Sequence, residues 1–288
     1  MNIQTTNKSL NKIIDELIIL FRKKEFNFLI EKAKEKIKEF PESFELYNLI
    51  GITFAEIKNI KQSIKYYKKA LIANPKNFIS DFYLGSLYHD NGDLLNALKH
   101  YKKSTNLNPK YSNAWFNLGV AYYENNNPLE AINSYKKVIN IEPNHANALY
   151  NLGYIYHELL DYDKSLKYYK LAIRIKPGFY YSYSNLAKVF MDNGDYKNSL
   201  KYYELYLEKN PNDVKILNDL GALLVRLNHY EKSLIYFRRA LKINPESIKT
   251  KYNIASVFID TGRYGQAITI LNKIIEEQPN NIYAYSKL

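Results

Sequence analysis

The sequence predicts an all-α solenoid of repeated helix pairs, and three ladders of residues predict it. The prolines Pro41, Pro75, Pro109, Pro143, Pro177, Pro211, Pro245 and Pro279 stand 34 residues apart, with only Pro128 off the series. Small residues recur at the same spacing: Gly51, Gly85, Gly119, Gly153, Ala187, Gly221 and Ala255, and again Ser63, Ala97, Ala131, Ser165, Ser199, Ser233 and Ala267. A third ladder is aromatic: Tyr67, Tyr101, Tyr135, Tyr169, Tyr203 and Phe237. A fixed period of this length means that each repeat is one supersecondary unit which buries its apolar face against its neighbours.

Each ladder has a physical task in a two-helix unit. The Gly or Ala of the first helix and the Ser or Ala of the second let two backbones approach, and the aromatic ring fills the space beside them. The proline cannot continue a helix and drives its predecessor out of the α region, so it closes the second helix. Between the helices stand Asn91-Gly92-Asp93, Asn193-Gly194-Asp195 and Thr261-Gly262. Glycine there suits a positive φ, and the following Asp suits an N-cap. Pro128 fits the first position of a helix, with Asn127 as N-cap and Glu130 completing a capping-box-like arrangement.

Taken in order, residues 10–43 read as a degenerate repeat anchored by Pro41, in which Leu17 and Leu29 replace the two small residues. Full repeats follow at 44–77, 78–111, 112–145, 146–179, 180–213, 214–247 and 248–281, and residues 282–288 start a further helix. One array thus accounts for the chain from 1 to 288. Its last stretch, with Ile282, Tyr283, Tyr285 and Leu288, is apolar where a terminal cap is expected to be polar. Either the chain continues in a longer protein or this end meets a partner, a second copy included.

Composition narrows the function classes. The chain is 46% hydrophobic and 24% charged, which suits ordered structure. No apolar run approaches the roughly 20 residues of a membrane helix, and no signal peptide is evident. The absence of cysteine excludes disulfides, thiol catalysis and Cys-based zinc sites. These absences suggest a cytoplasmic chain. His89 and His157 share the twelfth position of their repeats but lie two repeats apart, too far for one zinc ion when packed helices are spaced about 8–10 Å. No HExxH, phosphate-binding glycine loop or GxSxG is present, so neither a catalytic residue, a metal nor a cofactor is expected.

Residues 112–145 carry the repeat pattern most fully, as Trp115, Leu118, Gly119, Tyr122, Ala131, Tyr135, Val138 and Pro143. This resembles the tetratricopeptide repeat family, whose pattern is W-x2-L-G-x2-Y, then A-x3-F-x2-A, then proline. Tyr135 stands for the family Phe and Val138 for its second Ala. The resemblance implies a right-handed superhelix with first helices on the concave face and second helices on the convex face.

The sixth position of the repeats reads Leu49, Tyr83, Asn117, Asn151, Asn185, Asp219 and Asn253. Asn is a poor helix former, so its recurrence asks for a reason. In arrays similar to the repeat domain of O-linked N-acetylglucosamine transferases, Asn at this place grips the backbone of an extended peptide. The chemistry agrees, because an amide both donates and accepts. The plainer reading is that each Asn bonds its own array. The thirteenth position reads Glu56, Asp90, Glu124, Glu158, Asp192, Arg226 and Asp260. These acids lie near the helix C-terminus, where the macrodipole disfavours them. They serve either a ligand's Lys or Arg or a lysine of the neighbouring repeat. Phe116, Tyr123, Tyr150, His157 and Met191 would add apolar and stacking contacts, or else simply pack between repeats.

Net charge is +12. Much of it falls in pairs on the second helices, Lys68-Lys69, Lys102-Lys103, Lys136-Lys137 and Arg238-Arg239. A solvated lysine face explains these pairs better than a track for a phosphate backbone does, since Arg is scarce and no base-reading element is recognisable. The leading reading is a non-catalytic scaffold that binds an extended peptide or partner helix in the concave groove. A second is a recruitment module of a larger enzyme such as a glycosyltransferase, and a third is an acidic-surface or nucleic-acid binder.

Overall fold

The computed structural model describes residues 3–287, leaving Met1, Asn2 and Leu288 outside the described residues. The chain divides into two compact units at the Pro143–Asn144 junction. The first unit holds α1 (Ile3–Arg22), α2 (Phe26–Glu39), α3 (Phe44–Glu56), α4 (Ile60–Ala73), α5 (Phe78–Asp90), α6 (Leu94–Leu107), α7 (Ser112–Glu124) and α8 (Pro128–Ile141). The second holds α9 (Ala146–Glu158), α10 (Tyr162–Ile175), α11 (Tyr181–Asp192), α12 (Tyr196–Lys209), α13 (Val214–Arg226), α14 (Tyr230–Ile243), α15 (Ile248–Asp260), α16 (Tyr264–Glu277) and α17 (Ile282–Tyr285). Within each unit the fold is all-α, built from the helix pairs that the proline ladder marks out. No described helix is long and apolar enough to cross a membrane.

Local chemistry sets the ends of these helices. Ser43, Asn77, Asp93, Asp161, Asp195, Asp213 and Ser247 are N-caps whose side chains accept a backbone N–H three residues on. Each second helix from α2 to α16 stops two residues before a ladder proline. The residue between them leaves the α region; Asn74, for example, has φ −140° and ψ 95°. The turns inside the repeats share one conformation: Lys24, Lys58, Gly92, Asn126, Leu160, Gly194, Asn228 and Gly262 all have φ between 57° and 80°. The glycine turns were legible in the sequence, whereas the same geometry at Leu160 was not. At position 127 the expectation needs correction. Pro128 does open α8 beside Asn127, but the Asn127 side chain makes no cap bond. It donates instead to the Asn125 carbonyl oxygen at 2.8 Å, so the capping box is not formed.

The small-residue and aromatic ladders meet inside the full repeats. A Cβ on Gly85, Gly153 or Gly221 would stand 2.6, 2.9 or 2.4 Å from the ring of Tyr101, Tyr169 or Phe237. The ladder aromatics are fully buried. Ser63 and Ser165 donate to the carbonyl oxygens of Gly51 and Gly153, each at 2.7 Å, which is why a hydroxyl is accepted in so tight a place. The first repeat packs without the small pair, since Leu17, Leu29 and Ala33 are fully buried against Leu46 and Ile50. At the other end Ile282 and Tyr285 are exposed and Ala284 is buried. The side chain of Tyr283, like Leu288, lies outside the described residues.

Candidate functional site

In each unit the candidate site is the polar face of the first helices, and the ladder residues, Asn117 in the first unit and Asn151, Asn185, Asp219 and Asn253 in the second, are all half-buried. In the first unit Asn117 on α7 donates through Nδ2 to the hydroxyl of Tyr101 at 3.5 Å, and Tyr101 donates to Ser86 Oγ at 3.2 Å. Tyr83, which holds the sixth position one repeat earlier, has no amide. It stacks on Tyr67 at 5.4 Å, and the buried Tyr67 hydroxyl has no partner.

In the second unit Asn185 on α11 donates through Nδ2 to the Tyr150 hydroxyl at 2.7 Å. The ring of Tyr150 packs on Tyr169 at 5.5 Å and Phe179 at 4.9 Å. Burial pushes the Tyr169 hydroxyl well up, Tyr150 and Tyr154 add to this, and Asn185 opposes it. That hydroxyl lies beside Asn185 yet has no partner in hydrogen-bond geometry. Burial likewise raises Tyr203, with Asp219 and Asp192 adding to the effect. The tyrosine of one repeat therefore faces the sixth position of the next, 16 residues on.

Phe237 has no hydroxyl to offer, and Asn253 turns elsewhere: its Nδ2 donates to Asn218 Oδ1 at 3.0 Å. Asn218 is itself fixed, because its Nδ2 donates to the Val214 carbonyl oxygen at 2.8 Å and to Thr250 Oγ1 at 3.0 Å. A carbonyl oxygen only accepts, so the Asn218 amide has one orientation, which in turn fixes Asn253 with its Oδ1 unbonded. Asn151 and Asp219 have no side-chain hydrogen bond or ion pair among the described residues. Burial raises the Asp219 carboxyl, opposed by Lys249, Lys215 and Lys188.

The acidic ladder is partly used inside the array. Glu124 Oε2 meets His89 Nε2 at 2.7 Å, and Asp192 Oδ2 meets His157 Nε2 at 2.8 Å. Each pair joins the twelfth position of one repeat to the thirteenth of the next, a spacing of 35 that was present in the sequence and went unused there. His157 is thus an acid's partner first. Met191 packs on the core around Leu217 and Leu220. Phe116 sits 5.6 Å from the Tyr135 ring. Tyr123 is half-buried and Glu158 exposed.

Two further features were missed. Asp81 is fully buried, with His100 Nδ1 at 2.9 Å and Lys103 Nζ at 3.0 Å. It holds the fourth position, which is Tyr47, Trp115, Leu149, Tyr183, Leu217 and Lys251 in the other full repeats, so an acid in a largely apolar column was the available signal. On the second helices the lysines cover rings: Lys68 lies 5.9 Å from Tyr88, Lys102 5.1 Å from Tyr122 and Lys170 5.2 Å from Phe190. Part of the positive charge is therefore seated on aromatic faces.

Stacked two-helix units closed by Gly–aromatic contacts define a helical-repeat protein of the interaction-scaffold class. One model described as TPR repeat matches residues 85–126 and 129–159, and two models described as tetratricopeptide repeat match 44–77 and 146–179. A model for anaphase-promoting complex, cyclosome, subunit 3 matches 192–274. The chain is 30% identical to MamA over 58% of its own length and 97% of that chain, with a TM-score of 0.55. It is 19% identical to YrrB, described as a TPR protein with an unusual peptide-binding site, over 65% of its own length and 96% of that chain, with a TM-score of 0.58. It is also 17% identical to the C-terminal part of a TPR repeat-containing protein from Cytophaga hutchinsonii, over 84% of its own length and 99% of that chain, with a TM-score of 0.71. No curated protein sequence matches. The chain belongs to the tetratricopeptide repeat family.

Proposed function

We propose that the chain is a non-catalytic scaffold which holds an extended peptide of a partner protein along its first helices, through the sixth-position ladder. The observation that carries this reading is the state of the amides. Asn185 and Asn253 spend their donors inward and keep their carbonyl oxygens, while Asn151 and Asp219 spend nothing. Half-buried polar groups with free capacity suit a ligand backbone, whose N–H and C=O groups recur whatever its side chains are. The acids Glu124 and Asp192 contribute less, because each is already bonded to a histidine. None of the matching family models describes an enzyme.

The test is the quadruple variant Asn117→Ala, Asn151→Ala, Asn185→Ala and Asn253→Ala, compared with the unmodified chain in capture from native lysate and then in titration with a captured partner peptide. Helicity is expected to be retained. Each lost ligand bond should weaken binding by about 1 kcal/mol. Unchanged affinity with intact helicity would remove the ladder from the site.

A further inference from the structure

The first-helix face of the second unit carries both signs of charge, and lysines without an ion-pair partner lie within electrostatic reach of one of its uncommitted sixth-position acceptors. The acidic thirteenth position is interrupted at Arg226 and resumes at Asp260, near the C-terminal end of α15, while Lys188 on α11, Lys215 on α13 and Lys249 on α15 are exposed. None of these three lysines has an ion-pair partner among the described residues. Their neighbour Lys251 is different, since its Nζ is held by Glu277 at 2.6 Å. Between the lysines lies Asp219, half-buried and within electrostatic reach of all three. One repeat further along, Asn253 keeps its fixed Oδ1 acceptor.

We infer that the α11–α15 face binds an acidic segment of a partner protein, whose Asp or Glu side chains pair with Lys188, Lys215 and Lys249 while its backbone N–H groups donate to Asp219 and Asn253 Oδ1. This rests on the peptide reading above and names the ligand's chemistry. Three unpaired cations call for an anionic partner. Two acceptors among them call for a partner that also donates. A peptide backbone supplies N–H donors between its carboxylates. A phosphate or a nucleic-acid backbone supplies acceptors only and would meet the Asp219 carboxylate unfavourably.

The probes are three labelled peptides, each with an amidated C-terminus, alternating serine with glutamate, lysine or glutamine, titrated by fluorescence anisotropy into the full chain. The glutamate peptide is expected to bind most tightly. The triple variant Lys188→Ala, Lys215→Ala and Lys249→Ala should weaken it about tenfold and leave the glutamine peptide unmoved. Equal binding of the glutamate and lysine peptides would overturn the inference, as would a triple variant that binds the glutamate peptide unchanged. So would binding that needs a free C-terminal carboxylate, or a DNA duplex that displaces the glutamate peptide and binds more tightly than it. If the glutamate peptide fails while the glutamine peptide binds and is lost in the ladder variant, the acidic preference falls and the peptide reading stands. If no peptide responds to the ladder variant, both fall.

Discussion

Two places in the second unit do the same packing work with different chemistry. At one, Gly153 faces Tyr169 and the next sixth position is Asn185; at the other, Gly221 faces Phe237 and the next sixth position is Asn253. The rings fill the same space and both are fully buried. The hydroxyl is the difference. Asn185 stays beside the tyrosines, bonded to Tyr150, whereas Asn253 turns to Asn218. The ring belongs to the repeat, and the amide follows whatever polar group its neighbours provide. The comparison also separates what holds the array together from what remains for a ligand.

The largest test removes the rings. Tyr169→Ala and Phe237→Ala should each cost about 3–5 kcal/mol in urea unfolding, by lost burial plus a cavity. A much smaller cost at Tyr169 would mean that the two sites are not equivalent in packing. The next test fills the space the ring needs. Gly221→Ala should destabilise by about 1–2 kcal/mol, and Gly153→Ala by less, because the added Cβ meets the ring at 2.4 Å in the first case and 2.9 Å in the second. Ala187 beside Tyr203 shows that a ring can give way, so the order of the two costs is the informative result.

A finer test swaps only the hydroxyl. Tyr169→Phe should stabilise by up to about 1 kcal/mol, since that buried oxygen has no partner in hydrogen-bond geometry, whereas Phe237→Tyr should cost about 1 kcal/mol, because the Asn253 donor is already committed. Equal effects would break the account of the amides.

The smallest test is electrostatic. Burial raises the Asp219 carboxyl against the pull of Lys249, Lys215 and Lys188. A raised value in the folded chain means that the ionised group costs stability at neutral pH, and that the cost fades as pH falls into the carboxylate range. Asp219→Asn should therefore raise Tm at neutral pH, with the gain shrinking on acidification. A gain that grows on acidification would contradict this.

Much of the fold was legible because its causes are local and repeated. Pro75 ends a helix whatever surrounds it, and Gly92 permits its turn by its own backbone freedom. The candidate site was legible only in part. Asn117 and Asn185 announced themselves as poor helix formers in a repeated helix, but their bonds to Tyr101 and Tyr150 depend on how one repeat seats on the next. His89 was set against a metal and not against Glu124. Asp81 stood in a largely apolar column, and its ion pairs with His100 and Lys103 required the facing helix.

The sequence by itself therefore determined the repeat: its period, its helix ends, its Gly–aromatic contacts and the column in which the amides stand. These follow from backbone sterics and hydrophobic spacing, which act within a few residues or recur identically. Only the tertiary structure decided how each amide is used. It turned Asn253 toward Asn218 where Phe237 has no hydroxyl, closed Glu124 onto His89, and left Asn151 and Asp219 uncommitted. The physical reason is that a hydrogen bond depends on an orientation and a distance of a fraction of an ångström between side chains from different helices, and residue spacing along the chain does not encode either.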